Sequence, residues 1–154
     1  MKDLLVEVGP SQIAHEPAVA ADIDDTSAWF DLSKAKGVLI HVVHYRGGDL
    51  DFVLTVHEGT AASGTTAIAV VFPIWVATSA MTDPTLVRQT DAVGYTTDDS
   101  VYTGSMDIWF YIDGAHLTAG YRYVQLGTSG GHASSLAVAE YFPVGLRYQQ
   151  DQAL

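Results

Sequence analysis

The sequence predicts an all-β protein, an antiparallel β-sandwich or jelly-roll-like barrel with an extended N-terminal arm. Three observations carry that prediction. Leu50, Phe52, Leu54 and Val56 alternate with Asp51, Val53, Thr55 and His57, and Met106, Ile108, Phe110 and Ile112 alternate with Asp107, Trp109, Tyr111 and Asp113. A period of two is the signature of a strand with one face on a core. Clusters such as Gly47-Gly48-Asp49, Asp113-Gly114 and Ser129-Gly130-Gly131 punctuate the apolar runs, and these residue types accept the backbone angles that turns demand. Finally, no window of about 11 residues holds an i, i+3, i+4, i+7 apolar stripe.

Taken in order, residues 1–27 read as the arm. Leu4, Leu5, Val6 and Val8 have the composition of a short strand that Gly9-Pro10 ends, and the stretch from Pro17 to Asp25 carries little periodicity. Residues 28–154 read as one β-sandwich domain. Gly37 to Tyr45 is β-branched and apolar on both faces, as an inner strand should be. With the alternating run after Gly47-Gly48-Asp49 it is expected to form a hairpin. Gly59 to Thr65 reads as a loop. Ala67 to Thr78 is strand-like, but Pro73 cannot donate to a ladder and implies an edge, a bulge or a break into two strands. Residues 79–104 read as a long connection with one short strand around Leu86 to Arg88. Met106 to Asp113, Tyr121 to Thr128 and Ser135 to Phe142 complete a count of about 7 to 9 strands.

The composition narrows the function. A chain of 154 residues is the size of one domain. Its 7 Lys and Arg against 18 Asp and Glu leave a formal charge of −11. Such a chain repels phosphates, so nucleic acid is not an expected partner. No apolar stretch reaches the roughly 20 residues of a membrane span, and Met1-Lys2-Asp3-Leu4 lacks the continuous apolar run of a secretory signal. The expectation is a soluble protein, made in the cytoplasm, with no membrane partner. With no Cys, disulfides and thiolate chemistry are removed together. Charged residues are 16% of the chain, below the ~25% of average domains, while aromatic residues are 10%. Surface destined for subunit contacts is depleted in charge and enriched in aromatics, which predicts an oligomer or a large partner.

Few residue patterns suggest chemistry. Gly127-Thr128-Ser129-Gly130-Gly131 resembles the nucleophile turn of chymotrypsin-like serine proteases, and His44 or His57 and Asp107 precede Ser129 in that family's order. Thr128 stands where the family has an acidic residue, and a Ser-Gly-Gly turn also arises for backbone reasons alone. His41 and His44 are three apart, which on a strand sends them to opposite faces; a cross-hairpin pair of His41 with His57 is the alternative metal pairing. The acidic Asp22-Ile23-Asp24-Asp25 and Asp98-Asp99 lack the spacing of a Ca²⁺ loop and read as solvated. Four Glu, namely Glu7, Glu16, Glu58 and Glu140, include no obvious hydrolytic pair. Trp29, Trp75 and Trp109 are candidates for a sugar-stacking platform or for core and interface packing. No catalytic residue, metal or cofactor is expected.

Phe52 to Thr66, FVLTVHEGTAASGTT, resembles the strand, x-L-x-E-(S/G), small polar loop, Thr hairpin of short proteins encoded in tailed-phage head gene clusters. Tyr121 to Leu126, YRYVQL, is similar to the strand that follows in those proteins. Asp31-Leu32-Ser33 to Val38 corresponds to their opening element, and Ala137 to Arg147 to their final strand, so the likeness spans roughly residues 29 to 147. It departs from the pattern in the insertion from Ser79 to Gly104 and at Ala61-Ala62, where acidic residues are usual. The resemblance implies a capsid decoration or head-stabilising protein: a β-rich virion protein on the capsid surface, a trimer, whose partner is the major capsid protein.

On that reading the candidate partner-binding residues are Leu4, Leu5, Val6 and Val8, which suit strand addition to a neighbour's open sheet edge, together with Trp29. The alternatives are a β-sandwich glycan-binding or adhesion module of a phage tail or head and, more distantly, a small serine hydrolase using Ser129.

Overall fold

The computed structural model describes residues 12–19, 27–64, 66–78, 85–98 and 104–146. Leu4, Leu5, Val6, Val8 and the acidic Asp22–Asp25 stretch lie outside the described residues. Among the described residues, eleven strands form two antiparallel sheets. The strands are β1 (Gln12–Val19), β2 (Phe30–Asp31), β3 (Ala35–Tyr45), β4 (Phe52–Gly59), β5 (Thr66–Ala67), β6 (Ile74–Thr78), β7 (Val87–Arg88), β8 (Gly94–Thr96), β9 (Ser105–Asp113), β10 (Tyr123–Gly130) and β11 (Leu136–Leu146). A six-stranded sheet runs β1-β11-β3-β9-β6-β7, and a five-stranded sheet runs β2-β10-β4-β5 with β8 also on β4. The two layers make an open sandwich, not a closed barrel.

The core lies between the layers. The inward positions of β3 (Val38, Ile40, Val42), β9 (Ile108, Phe110, Ile112) and β4 (Phe52, Leu54, Val56) are all buried, so the alternation seen in the sequence is the alternation of the pleat. Leu50, which continues the β4 pattern, stays exposed beyond the strand end. Pro73 marks a break into two strands: β5 belongs to one sheet and β6 to the other. The short strand expected near Leu86–Arg88 is β7. The same connection also supplies β8, too short and Gly-containing to show periodicity. Gly94 is required there, because a Cβ would lie 2.6 Å from the Leu54 carbonyl oxygen.

The expected β3–β4 hairpin does not form. β3 and β4 lie in different sheets, joined by an arch over the sandwich edge. Each strand has one core face, and an arch lets the two faces meet across the interior instead of lying side by side. The His44 ring stacks on Phe52 at the fold of this arch, 4.8 Å between centroids. Inside it the Arg46 guanidinium donates to the Gly48 carbonyl and pairs with Asp49. β10 and β11 repeat the manoeuvre, and the two arches are bonded together: Gly47 N–H donates to Ser135 Oγ (2.9 Å), and Gly131 N–H to the Asp51 carbonyl (2.9 Å). Gly130 adopts φ +72°, where a Cβ would stand 2.8 Å from the Asp51 oxygen. The Ser-Gly-Gly sequence therefore has a backbone reason.

β2 pairs with β10 only through Tyr123 and Val124, which leaves the Leu126 peptide on that edge without a strand partner. Side chains take its place. The Leu126 N–H donates to the Tyr141 hydroxyl (2.8 Å), and the Ser27 hydroxyl donates to the Leu126 carbonyl. Tyr141 comes from β11 in the other sheet, so this contact pins the layers together. Burial pushes the Tyr141 hydroxyl pKa up to about 12, against the bonds with Leu126 and Ser27, which lower it. At the end of β2, the Asp31 carboxylate accepts from the Ser33 N–H (2.9 Å) and caps the 3-10 turn Leu32–Lys34. Burial opposes its ionisation, but the Ser33 bonds and the charges of Arg122 and Lys34 prevail and hold its pKa below the usual carboxylate value.

Two outcomes follow from these contacts. Tyr141→Phe leaves the Leu126 N–H buried without an acceptor and is expected to cost about 1–3 kcal/mol, read as a lower urea midpoint with an unchanged m value. A lowered pKa means Asp31 adds stability at pH values above its unfolded pKa and loses it as pH falls through the folded one. The stability gap between the parent and Asp31→Asn should therefore be constant from pH 5 to 7 and shrink below about pH 4, as followed by thermal melts.

Candidate functional site

The outer face of the six-stranded sheet is the most distinctive surface. β3, β9, β11 and β6 point Leu39, Val43, Trp109, Tyr111, Val138, Phe142 and Trp75 away from the core, all only partly buried. Register brings one row of side chains into line across all six strands. Ile13 pairs with Glu140, Glu140 with His41, His41 with Trp109, Trp109 with Trp75, and Trp75 with Arg88. The His41 ring lies flat on Trp109, 4.0 Å between centroids and 13° between planes, and Phe142 packs 5.8 Å from the same indole. His41 Nε2 is 3.3 Å from Asp107 Oδ1, which orients the imidazole. The Arg88 guanidinium sits 4.9 Å above the Trp75 ring, a cation–π contact. Further along, Tyr111 crosses Gly37: a Cβ there would come within 2.8 Å of the ring. Burial, then the neighbouring Asp113 charge, raises the Tyr111 pKa.

The five-stranded sheet differs. Its outward residues include Thr55, His57, Gln125, Gly127 and Ser129. Gln125 is covered by the Ser27 carbonyl, to which its side-chain amide donates at 2.5 Å. His57 folds over Gly127, whose missing side chain makes the room. This face is the more polar of the two, with Gln125 and Gly127 buried and Ser129 exposed, while the other is aromatic and partly exposed.

The structure separates the residues of the hydrolase reading. Ser129 is exposed at the end of β10 opposite Val53, and His57 stands four residues further along β4, opposite Gln125. Asp107 is on the outer face of the other sheet, beside His41, and His44 is turned into the core. His41 and His44 do occupy opposite faces, as their spacing requires. His41 and His57 lie in different sheets, so the cross-hairpin metal pairing fails with the hairpin. Among the described residues, no group of three or more His, Asp or Glu gathers as a metal site. Trp29 is half-buried, its ring 3.5 Å from the position a Cβ on Gly59 would take. Trp75 and Trp109, in contrast, are brought together.

Glu58 shows a role that the sequence does not display. It is buried, 2% exposed, and its two carboxylate oxygens accept from the Thr118 N–H (2.7 Å) and Thr118 hydroxyl (2.5 Å). A buried carboxylate must be satisfied by donors, and here it fastens the 114–122 segment to β4. Sixty residues separate the partners, which no local pattern can reveal.

No protein-family model, curated protein or solved structure matches the chain.

Gly37→Ala tests the packing of this face. The added methyl must displace Tyr111, at a net cost of about 1 kcal/mol after the gain in chain entropy. A lower melting temperature with a changed tyrosine signal in near-UV circular dichroism is expected.

Proposed function

We propose that this protein is a structural component of a phage virion that decorates and stabilises the capsid, binding the major capsid protein as an oligomer. The observation that carries the reading is the outer face of the six-stranded sheet. It carries Trp75, Trp109, Tyr111 and Phe142 beside Leu39, Val43 and Val138, each partly exposed. A contiguous apolar face of this extent marks a site of contact with other polypeptides, and its Trp, Tyr and Phe content is that of interface centres. The likeness of Phe52–Thr66 and Tyr121–Leu126 to head-cluster proteins supplies the identity of the particle. That likeness falls on β4 with its β5 return, and on β10, which pairs with β4 along its whole length.

The arm residues Leu4, Leu5, Val6 and Val8 serve strand addition to a neighbour in this reading. Because Gln12–Val19 belongs to the chain's own sheet, a deletion of residues 2–10 keeps every described strand and removes Leu4, Leu5, Val6 and Val8. Incubation with expanded shells of the major capsid protein, followed by sedimentation and mass spectrometry, is expected to give hundreds of bound copies per particle. The deletion should reduce that occupancy. A handful of copies, or none, contradicts the decoration role, and full occupancy by the deletion contradicts the role of the arm.

One observation favours a second reading. Trp75 and Trp109 lie side by side on an open face, as in sugar-stacking platforms. A glycan-binding module would show saturable binding on a glycan array that Trp109→Ala abolishes; binding to none would set this reading aside.

A further inference from the structure

The row that crosses the six-stranded sheet has opposite charges at equal distances on either side of Trp109. Glu140 and Arg88 each stand two strands from Trp109, about 10 Å given the ~4.8 Å strand spacing. A twofold axis along β9, lying in the plane of the face, reverses the order of the row. It therefore sets Arg88 of one copy over Glu140 of the other, His41 over Trp75, and Trp109 over its own symmetry mate. An axis across the strands would instead oppose like to like.

We propose that the outer face of the six-stranded sheet is a self-complementary twofold interface, and that its occupant is a second copy of this chain. The contact deepens the reading of this face as a polypeptide surface; it does not depend on the capsid. Aligned packing of sheet on sheet, the geometry of the protein's own core, is the packing this axis produces. Its size is adequate. β11, β3 and β9 run side by side over nine residues and β6 adds five, roughly 500 Å² of sheet at ~4.8 Å between strands and ~3.3 Å per residue. Covering it in two copies removes on the order of 1,000 Å² from water, about what a specific interface must clear.

The charges on the face fit an isologous contact. Arg88 is already aligned by Trp75 and bonds Asp91 at 2.5 Å at the rim, leaving its other donors for Glu140. Asp107 lies on the axis and would face its own copy, but its carboxylate is turned to His41 at 3.3 Å.

Sedimentation equilibrium of the full chain is expected to give twice the 16.5 kDa chain mass, or six chains where trimers pair through this face. Arg88→Glu alone and Glu140→Arg alone, both outside the core, each set like charges together and should weaken the dimer about tenfold or more. The double variant R88E/E140R restores the opposition and should return to within about threefold of the parent. One chain or three at every concentration, single variants that dimerise like the parent, or a double variant no tighter than the singles overturns the proposal. Shells that still bind a monomeric chain would overturn this contact while leaving the capsid reading intact.

Discussion

The fold depends on two chain crossings held to each other by backbone. The arch from β3 to β4 and the arch from β10 to β11 meet at Gly131 N–H to the Asp51 carbonyl and at Gly47 N–H to Ser135 Oγ. That contact is possible because Gly130 brings its backbone to the Asp51 oxygen with φ positive and no Cβ in the way. Once both chains cross at one place, β3 and β11 are adjacent in one layer, and β4 and β10 in the other. Their core faces then oppose each other, and their outer faces are fixed as a consequence.

Polar groups inside and beside the sandwich complete what the ladders leave open. The short β2 strand exposes the Leu126 peptide, which Tyr141 and Ser27 satisfy from across the layers. Glu58 holds Thr118, and Asp31 caps the turn before β3. Each has a buried or half-buried acceptor whose desolvation would be costly if its donor were lost. These contacts give one arrangement of the layers rather than a family of slipped ones.

Much of this architecture was legible in the sequence where a rule of local geometry applied. Period two located β4 and β9, the β-branched run located β3, and Pro73 announced the break between β5 and β6. Layer assignment was not legible. Gly47-Gly48-Asp49 is equally suited to a tight hairpin or to an arch, and the choice is made by His44 on Phe52 and by Ser135, which lies 88 residues away from Gly47. β1 and β8 were missed because irregular register and three-residue length leave no period to detect. The candidate face was half legible. Charge depletion and aromatic content pointed to a contact surface, and Trp75 and Trp109 were singled out, but their adjacency with His41, Glu140 and Arg88 arises only from register.

The resulting protein has one sheet whose outer face is mostly polar and one whose outer face is aromatic and partly exposed. Aromatic side chains collect on the second, beside His41, Asp107 and Glu140. The central claim is that this open face becomes covered when the protein assembles. Hydroxyl-radical footprinting of the three tryptophans along a dilution series measures it directly. Covering predicts that oxidation of Trp75 and Trp109 is low at high concentration and rises together as the protein is diluted, while Trp29 stays constant. Equal reactivity of Trp75 and Trp109 at every concentration would contradict it.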